Sequence, residues 1–277
     1  MEDDQESYDP KGVTGFAMGS RLNKLRSLLR WLVAGRPSAA GSGGSLPAAH
    51  DRKGEAAGGG GSAGSRRALA ISLLAVVAFS LLSFLNLDRP LAYACSRLGR
   101  GSREFFQVVT FLGLSGWYLV LSLLIFMLFR FRSRNPGRAA QALFVFVAIS
   151  LSGIVVDILK FILGRYRPAM LFHDNLYGFA FFRIDARATS FPSGHAAVVT
   201  AVALSLGAIW PRFRVLYALA ALLIIASRVV TCVHFLSDVV AGAYVAVITT
   251  LAVKRFFEES GLDLRCGGGS TGPGTGM

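Results

Sequence analysis

Six apolar runs, separated by short basic or polar joints, constrain this chain more than any other feature. Read with a window of about 19 residues, they fall at 67–87 (RALAISLLAVVAFSLLSFLNL), roughly 110–131, 139–163 (AAQALFVFVAISLSGIVVDILKFIL), 194–210, 215–233 and 235–253. Runs this long and apolar satisfy their backbone polar groups in lipid as helices. The expected fold is an all-α membrane protein, a six-transmembrane-helix bundle over residues 66–257. With 53% of its residues hydrophobic and 16% charged, the chain is more apolar than an ordinary soluble domain.

The net charge of +13 suits nucleic acid, anionic lipid or cytoplasmic loops. No basic stretch carries an RNA-binding pattern and no paired CxxC suggests zinc, so the membrane is the expected partner and nucleic acid is not. Cys95, Cys232 and Cys266 are too few and too scattered for a disulfide framework, and Cys232 is expected reduced within a helix. The acidic start MEDDQESYDP is unlike a signal peptide, so insertion is expected to use the internal spans.

Residues 1–65 are rich in Gly, Ser and Ala, with linker text such as AAGGGGSAGS, and are expected to be disordered. Within them SRLNKLRSLLRWLVAGR places Leu22, Leu25, Leu28, Leu29 and Leu32 on one face, a basic amphipathic helix near 20–34. It reads equally as a helix lying on an anionic membrane surface or as a basic segment that only aids topology. Residues 88–108 are expected to be a connection with a short interfacial helix, and 258–277 a flexible tail.

Arg66 and Arg67, RFRSRNPGR, PRFR, and Lys254 with Arg255 share one side of a six-span bundle, which the positive-inside rule makes cytoplasmic. The end of the third span, the start of the fourth and the fifth-to-sixth junction then meet on the outer side of the plasma (inner) membrane, facing the periplasm or exterior. Arg89, Arg97, Arg100 and Arg103 also lie there, so the charge asymmetry is incomplete.

That outer face gathers the chemistry. KFILGRYRP supplies Lys160 and Arg167, PSGH supplies Ser193, Gly194 and His195, and SRVVTCVHFLSD supplies Arg228, His234 and Asp238. Singly, Lys160 reads as a snorkelling anchor paired with Asp157, Ser193 as an N-cap and His195 as a helix-start histidine. Together, three cations, two histidines and an acid at one membrane level mark a functional site. Lys160, Arg167 and Arg228 suit a phosphate dianion, and the free amides after Ser193 point a helix N-terminus at the same anion. His234, with Asp238 holding its other ring nitrogen, suits in-line attack on phosphorus, and His195 suits general acid-base work, worth ~100- to 10,000-fold. No metal or other cofactor is called for, since the cations supply the charge stabilisation.

The three motifs, in order and without departure at a defining position, resemble the signatures of the type 2 phosphatidic acid phosphatase (PAP2) superfamily over residues 160–238. The resemblance implies a metal-independent membrane lipid phosphatase. It implies His234 as nucleophile, Asp238 as its partner, His195 as acid, and Lys160, Arg167, Ser193, Gly194 and Arg228 as phosphate ligands. Soluble haloperoxidases share the motifs and bind vanadate, but lack such spans.

Between the first two motifs, AMLFHDNLYGFAFFRIDARATSF carries Phe172, Tyr177, Phe179, Phe181 and Phe182 with Arg183 and Arg187. It reads as a lipid-headgroup gate, or as an aromatic belt for anchoring. NLYGF and the basic residues resemble bacterial lipid A phosphatases of this superfamily. Phosphatidylglycerophosphate, phosphatidate and undecaprenyl diphosphate present the same phosphate to the same motifs. A Ser193–His234 protease would leave Lys160, Arg167 and Arg228 without a role, and a metal on His195, His234 and Asp238 would be repelled by those cations. An anion or lipid transporter would favour midplane sites and internal repeats over motifs at span ends.

Overall fold

The computed structural model describes residues 10–34 and 59–265, with side chains from Leu22 and from Arg66 onward in their segments. The expected disorder of 1–65 and flexible tail of 258–277 fall only in part on these: 10–34 and 59–65 are helical, α-helix continues to Glu259 and Leu264 is buried, while the other residues of both segments, Cys266 included, lie outside the described residues.

Among the described residues ten α-helices run in the order α1 (Pro10–Ala34), α2 (Gly59–Leu82), α3 (Asp88–Ser96), α4 (Arg100–Phe111), α5 (Ser115–Met127), α6 (Pro136–Leu163), α7 (Pro168–Asp174), α8 (Gly194–Ile209), α9 (Arg214–Val230) and α10 (Leu236–Glu259). Among the described residues there is no β-strand, only one isolated antiparallel bridge between Arg165 and Phe179.

Among the described residues, five helical segments are long and apolar enough to cross a membrane: Arg66–Ser96, Arg100–Arg132, Pro136–Leu163, Pro211–Val230 and Leu236–Glu259. The sixth expected run, α8, is a shorter apolar helix of 16 residues. At 1.5 Å per residue it covers about 24 Å, less than the ~30 Å hydrocarbon core. Helix α8 is the hub of the bundle and packs against α6, α9 and α10, while α5 packs on α6, α4 on α9 and α2 on α10. Small residues allow this close approach: Ala196, Ala197, Ala201 and Ala246 are fully buried where these helices meet. Leu74, Val77, Leu85, Val120, Leu124, Leu216 and Leu219 are exposed on the outside, as lipid-facing positions should be.

Residues 88–108 do not form a connection with one small helix. A π-turn, Ser83–Leu87, carries the first span straight into α3, and α4 extends the second, broken from α5 at Leu112–Leu114. Cys232 is likewise not helical: α9 stops at Val230, and Cys232 takes a left-handed turn conformation with φ 56°. The short loop must turn there to aim His234 inward. Both Cys95 and Cys232 are free thiols.

Helix α1 rests on α6 through the stripe Leu22, Arg26, Leu29 and Val33, with Leu29 and Val33 buried beside Phe126, Ala139 and Phe257. Leu25, Leu28, Trp31 and Leu32 remain exposed. Arg130 Nε donates to the Leu32 carbonyl at 2.6 Å, and Arg26 pairs with Glu259, fixing the helix to the ends of α5 and α10.

Candidate active site

Helix termini create the site. Gly164, with φ 47°, ends α6 four residues beyond Lys160, and Pro168 opens α7 immediately after Arg167. The segment between is pinned to the following loop: Tyr166 N donates to the Gly178 carbonyl at 3.1 Å, Arg167 N to Arg187 O at 3.0 Å and Ser190 N to Arg165 O at 2.9 Å. Ser193 caps α8, its hydroxyl accepting from Ala196 N, while its own amide donates to the Asp238 carbonyl at 2.9 Å. The α8 start is therefore bolted to the α10 start. The cap takes Ala196 N, whereas the amides of Gly194 and His195, at the very start of α8, have no intrahelical acceptor and suit an anion.

Lys160 reaches this mouth from α6. A Cβ on Gly194 would stand 3.1 Å from Lys160 Nζ, so glycine leaves room for the ammonium beside the helix start. Its recorded partner is the exposed Asp157, at 3.2 Å. Arg167 Nε donates to the Ala186 carbonyl at 2.8 Å and Arg228 Nη1 to Thr110 Oγ1 at 2.7 Å, which orients each guanidinium without consuming it. Lys160, Arg167, Arg228 and His234 all lie within electrostatic range of His195. The structure thus brings Lys160, Arg167, Ser193, Gly194, His195, Arg228, His234 and Asp238 to one region.

His234 is buried in the turn before α10, its amide donating to the Arg228 carbonyl at 3.2 Å. Burial pushes its pKa below the usual histidine value, against the opposing pull of Asp238, so the ring is neutral near pH 7. Its Nδ1 lies 3.6 Å from Asp238 Oδ2, beyond hydrogen-bond reach, but 3.3 Å from Ser190 Oγ. Ser190 Oγ in turn donates to Asp238 Oδ2 at 2.6 Å, and the same oxygen accepts from Phe235 N at 2.8 Å. Asp238 thus reaches the imidazole chiefly through a serine.

Behind Asp238 sits a fully buried Arg165. Its Nη1 contacts Asp238 Oδ1 and Ser237 Oγ; its Nη2 contacts Asp88 Oδ2 at 2.8 Å and Tyr177 Oη at 3.2 Å. Phe84, Tyr177, Phe179 and Phe235 surround the guanidinium with ring centroids 4.5 to 5.6 Å away, a cation–π cage. This cage divides the aromatic loop: Tyr177 and the edge-lying Phe179 face Arg165, whereas Phe181 and Phe182 are more exposed and do not. Burial pushes the Tyr177 phenol up to about 12, so it stays a neutral donor to the Phe84 carbonyl.

Asp88, Thr110, Gly113, Arg165 and Ser190 escaped the motif reading. Arg165 stands in plain view between Lys160 and Arg167, and Ser190 three residues before Ser193. A Cβ on Gly113 would stand 3.0 Å from His195 Cδ2, which lets the α4–α5 break close over the imidazole. Nothing local in the sequence marks Gly113 or Thr110. An apolar cavity of about 550 Å³ between α5, α6 and α8 is lined by Tyr118, Val145, Val202, Ile209 and Trp210 and includes none of the motif side chains. Among the described residues no group of three or more His, Cys, Asp and Glu side chains could hold a metal ion.

An all-helical membrane bundle that gathers cations, imidazoles and a helix N-terminus in one region has the composition of an anion site. The PAP2 superfamily model matches residues 141–262. A lipid A 1-phosphatase from Rhizobium johnstonii is 31% identical over 190 residues, covering 63% of this chain and 77% of that protein. A lipid A 1-phosphatase from Rhizobium etli is 33% identical over 172 residues, covering 58% and 73%. The crystal structure of Aquifex aeolicus LpxE aligns with a TM-score of 0.46 at 27% identity, over 62% of this chain and 94% of that one. The chain belongs to the PAP2 superfamily and is a membrane phosphatase, a phosphoric ester hydrolase.

Proposed function

We propose that this phosphatase hydrolyses a lipid phosphate through a phosphohistidine intermediate, and that its substrate is a lipid A phosphate. The relatives named above support the substrate class. The observation that carries the mechanism is the convergence of a buried neutral imidazole, a second imidazole and three cations at the start of α8.

Lys160, Arg167, Arg228 and the Ser193–Gly194 turn hold the phosphate oxygens, with the arginine forks matching them in geometry. His234 Nε2 attacks phosphorus in line while Ser190 and Asp238 hold the Nδ1 proton. A new N–P bond forms, the P–O bond to the lipid breaks, and the departing oxygen takes its electron pair together with a proton from His195. His195, now neutral, takes a proton from the water that cleaves the N–P bond, so inorganic phosphate leaves and both rings return to their starting states. Burial, and after it the cationic neighbours, opposes a proton on His195 before substrate binds, and the arriving dianion offsets the cations. The basic joints support a reading in which this site faces the outer side of the plasma (inner) membrane, toward the periplasm or exterior.

The test is phosphate release by purified protein in EDTA from lipid A, phosphatidylglycerophosphate, phosphatidate and undecaprenyl diphosphate, for wild type and His234→Ala. Release from lipid A with the highest kcat/KM, and none from the variant, is expected. No release from any lipid, or equal release by the variant, overturns the mechanism; preference for another lipid overturns the substrate.

A further inference from the structure

Asp88 comes from the first span, outside the region matched by the superfamily model, yet it is buried against the α10 start. The π-turn at Ser83–Leu87 directs it inward, a local irregularity often found at functional positions. Its Oδ1 accepts from Ser83 Oγ at 2.8 Å and from Ser237 N at 3.1 Å, and its Oδ2 from Arg165 Nη2 at 2.8 Å and from Ser237 Oγ. Arg165 therefore divides one positive charge between two carboxylates, Asp88 and Asp238, both wholly buried. The group carries one net negative charge, and the Asp238 oxygen not held by Arg165 faces Ser190 and His234.

We propose that Asp88 is a positioning residue for the phosphatase reaction: by taking half of the Arg165 fork, it leaves Asp238 a negative charge directed through Ser190 at His234 Nδ1. This rests on the reading of His234 as nucleophile. Were Arg165 matched with Asp238 alone, the pair would be neutral and the imidazole a weaker base. A weaker base is a weaker nucleophile. The other charged groups acting on His234 are Arg167 from the α6–α7 joint, Arg228 from α9 and His195 from α8, all of which disfavour a proton there. Asp238 is the one acid among these, so its charge sets the acid limb of the pH–rate profile.

The prediction is a matter of charge count. Asp88→Asn makes the group neutral, so the acid limb of kcat/KM moves down by about half to one pH unit and plateau kcat falls roughly tenfold. Asp88→Asn with Arg165→Met restores one net negative charge with no unmatched buried cation, on an Asp238 still held by the Ser190 hydroxyl and the Phe235 amide. Its acid limb returns to the wild-type position. Both are measured beside wild type and His234→Ala on the same lipid phosphate, with circular dichroism and thermal melting recorded for each. If Asp88→Asn does not fold, the double variant decides alone: a limb at the wild-type position supports the proposal and a displaced one overturns it. An unmoved limb in a folded Asp88→Asn enzyme, whatever its activity, also overturns it. Activity in His234→Ala sinks the nucleophile reading instead, and the two failures are told apart on that variant.

Discussion

Two arginines only two positions apart in the sequence live in opposite worlds. Arg167 is partly exposed and orients one nitrogen on a backbone carbonyl, leaving the rest of its fork to the mouth of the site. Arg165 is fully buried, pairs with two carboxylates and is walled by four aromatic rings. The same contrast separates Arg228 from Arg165, since Arg228 holds Thr110 at 2.7 Å and has no recorded carboxylate partner among the described residues. On the proposed reading, the mouth leaves its arginine forks incomplete for a phosphate to fill. The knot behind it completes its own cation so that nothing there can move. On the proposed reading, this site uses two kinds of positive charge, one to bind and one to brace.

Substitution should break this pairing in opposite ways. Arg165→Met leaves Asp88 and Asp238 buried with no cation between them, and removing one partner of such a pair costs about 3–5 kcal/mol. Its chief signature is a loss of folded protein in thermal melts, with activity lost as a consequence. Arg228→Met removes a charge aimed at substrate, so folding should be nearly unaffected while kcat/KM falls about 100- to 1000-fold. Equal stability loss in the two variants would erase the distinction between mouth and brace.

The mouth was legible in the sequence because its residues lie at motif spacings on helix ends: Lys160 with Arg167, Ser193 with His195, and Arg228 with His234 and Asp238. Alternation of apolar runs and basic joints gave the all-helical membrane fold for the same reason, since both signals are local. The brace was not legible. Asp88 meets Arg165 across 77 positions and Thr110 meets Arg228 across 118, and no periodicity links such residues. Helix α1 shows a subtler failure. Its leucines were easy to place on one face, but the stripe that docks includes Arg26 and Val33, because Glu259 and the carbonyl of Leu32 decide the rotation.

Ser190 joins the two regions, and its removal sharpens where the boundary runs. Ser190→Ala takes a donor from Asp238 and an acceptor from His234 Nδ1, so kcat should fall about tenfold with little change in KM. A larger change in KM would place Ser190 in the mouth. A smaller effect is expected in the pH dependence of folding. His234 has a lowered folded pKa, so the unfolded chain binds its proton first as pH falls. Its contribution is complete above about 6.5, the unfolded value, and is lost progressively as pH falls from there toward the folded value. His234→Gln should flatten chemical-denaturation midpoints across that window relative to wild type, and an unchanged slope would mean that other groups govern acid sensitivity.

The gentlest probe falls on the rim of the brace. Tyr177 donates its hydroxyl to the Phe84 carbonyl, receives Arg165 Nη2 at 3.2 Å, and stacks on Phe84 with centroids 4.8 Å apart. Tyr177→Phe keeps the stacking and the cation–π face and removes only the hydroxyl. Arg165 retains both carboxylates, so the charge presented to His234 is unchanged. The expected cost is about 1 kcal/mol, seen as a melting point lower by about 2–4 °C, with kcat and the acid limb at wild-type values. Should kcat instead fall tenfold in a protein of unchanged stability, the Tyr177 hydroxyl would act on the substrate and not on the brace.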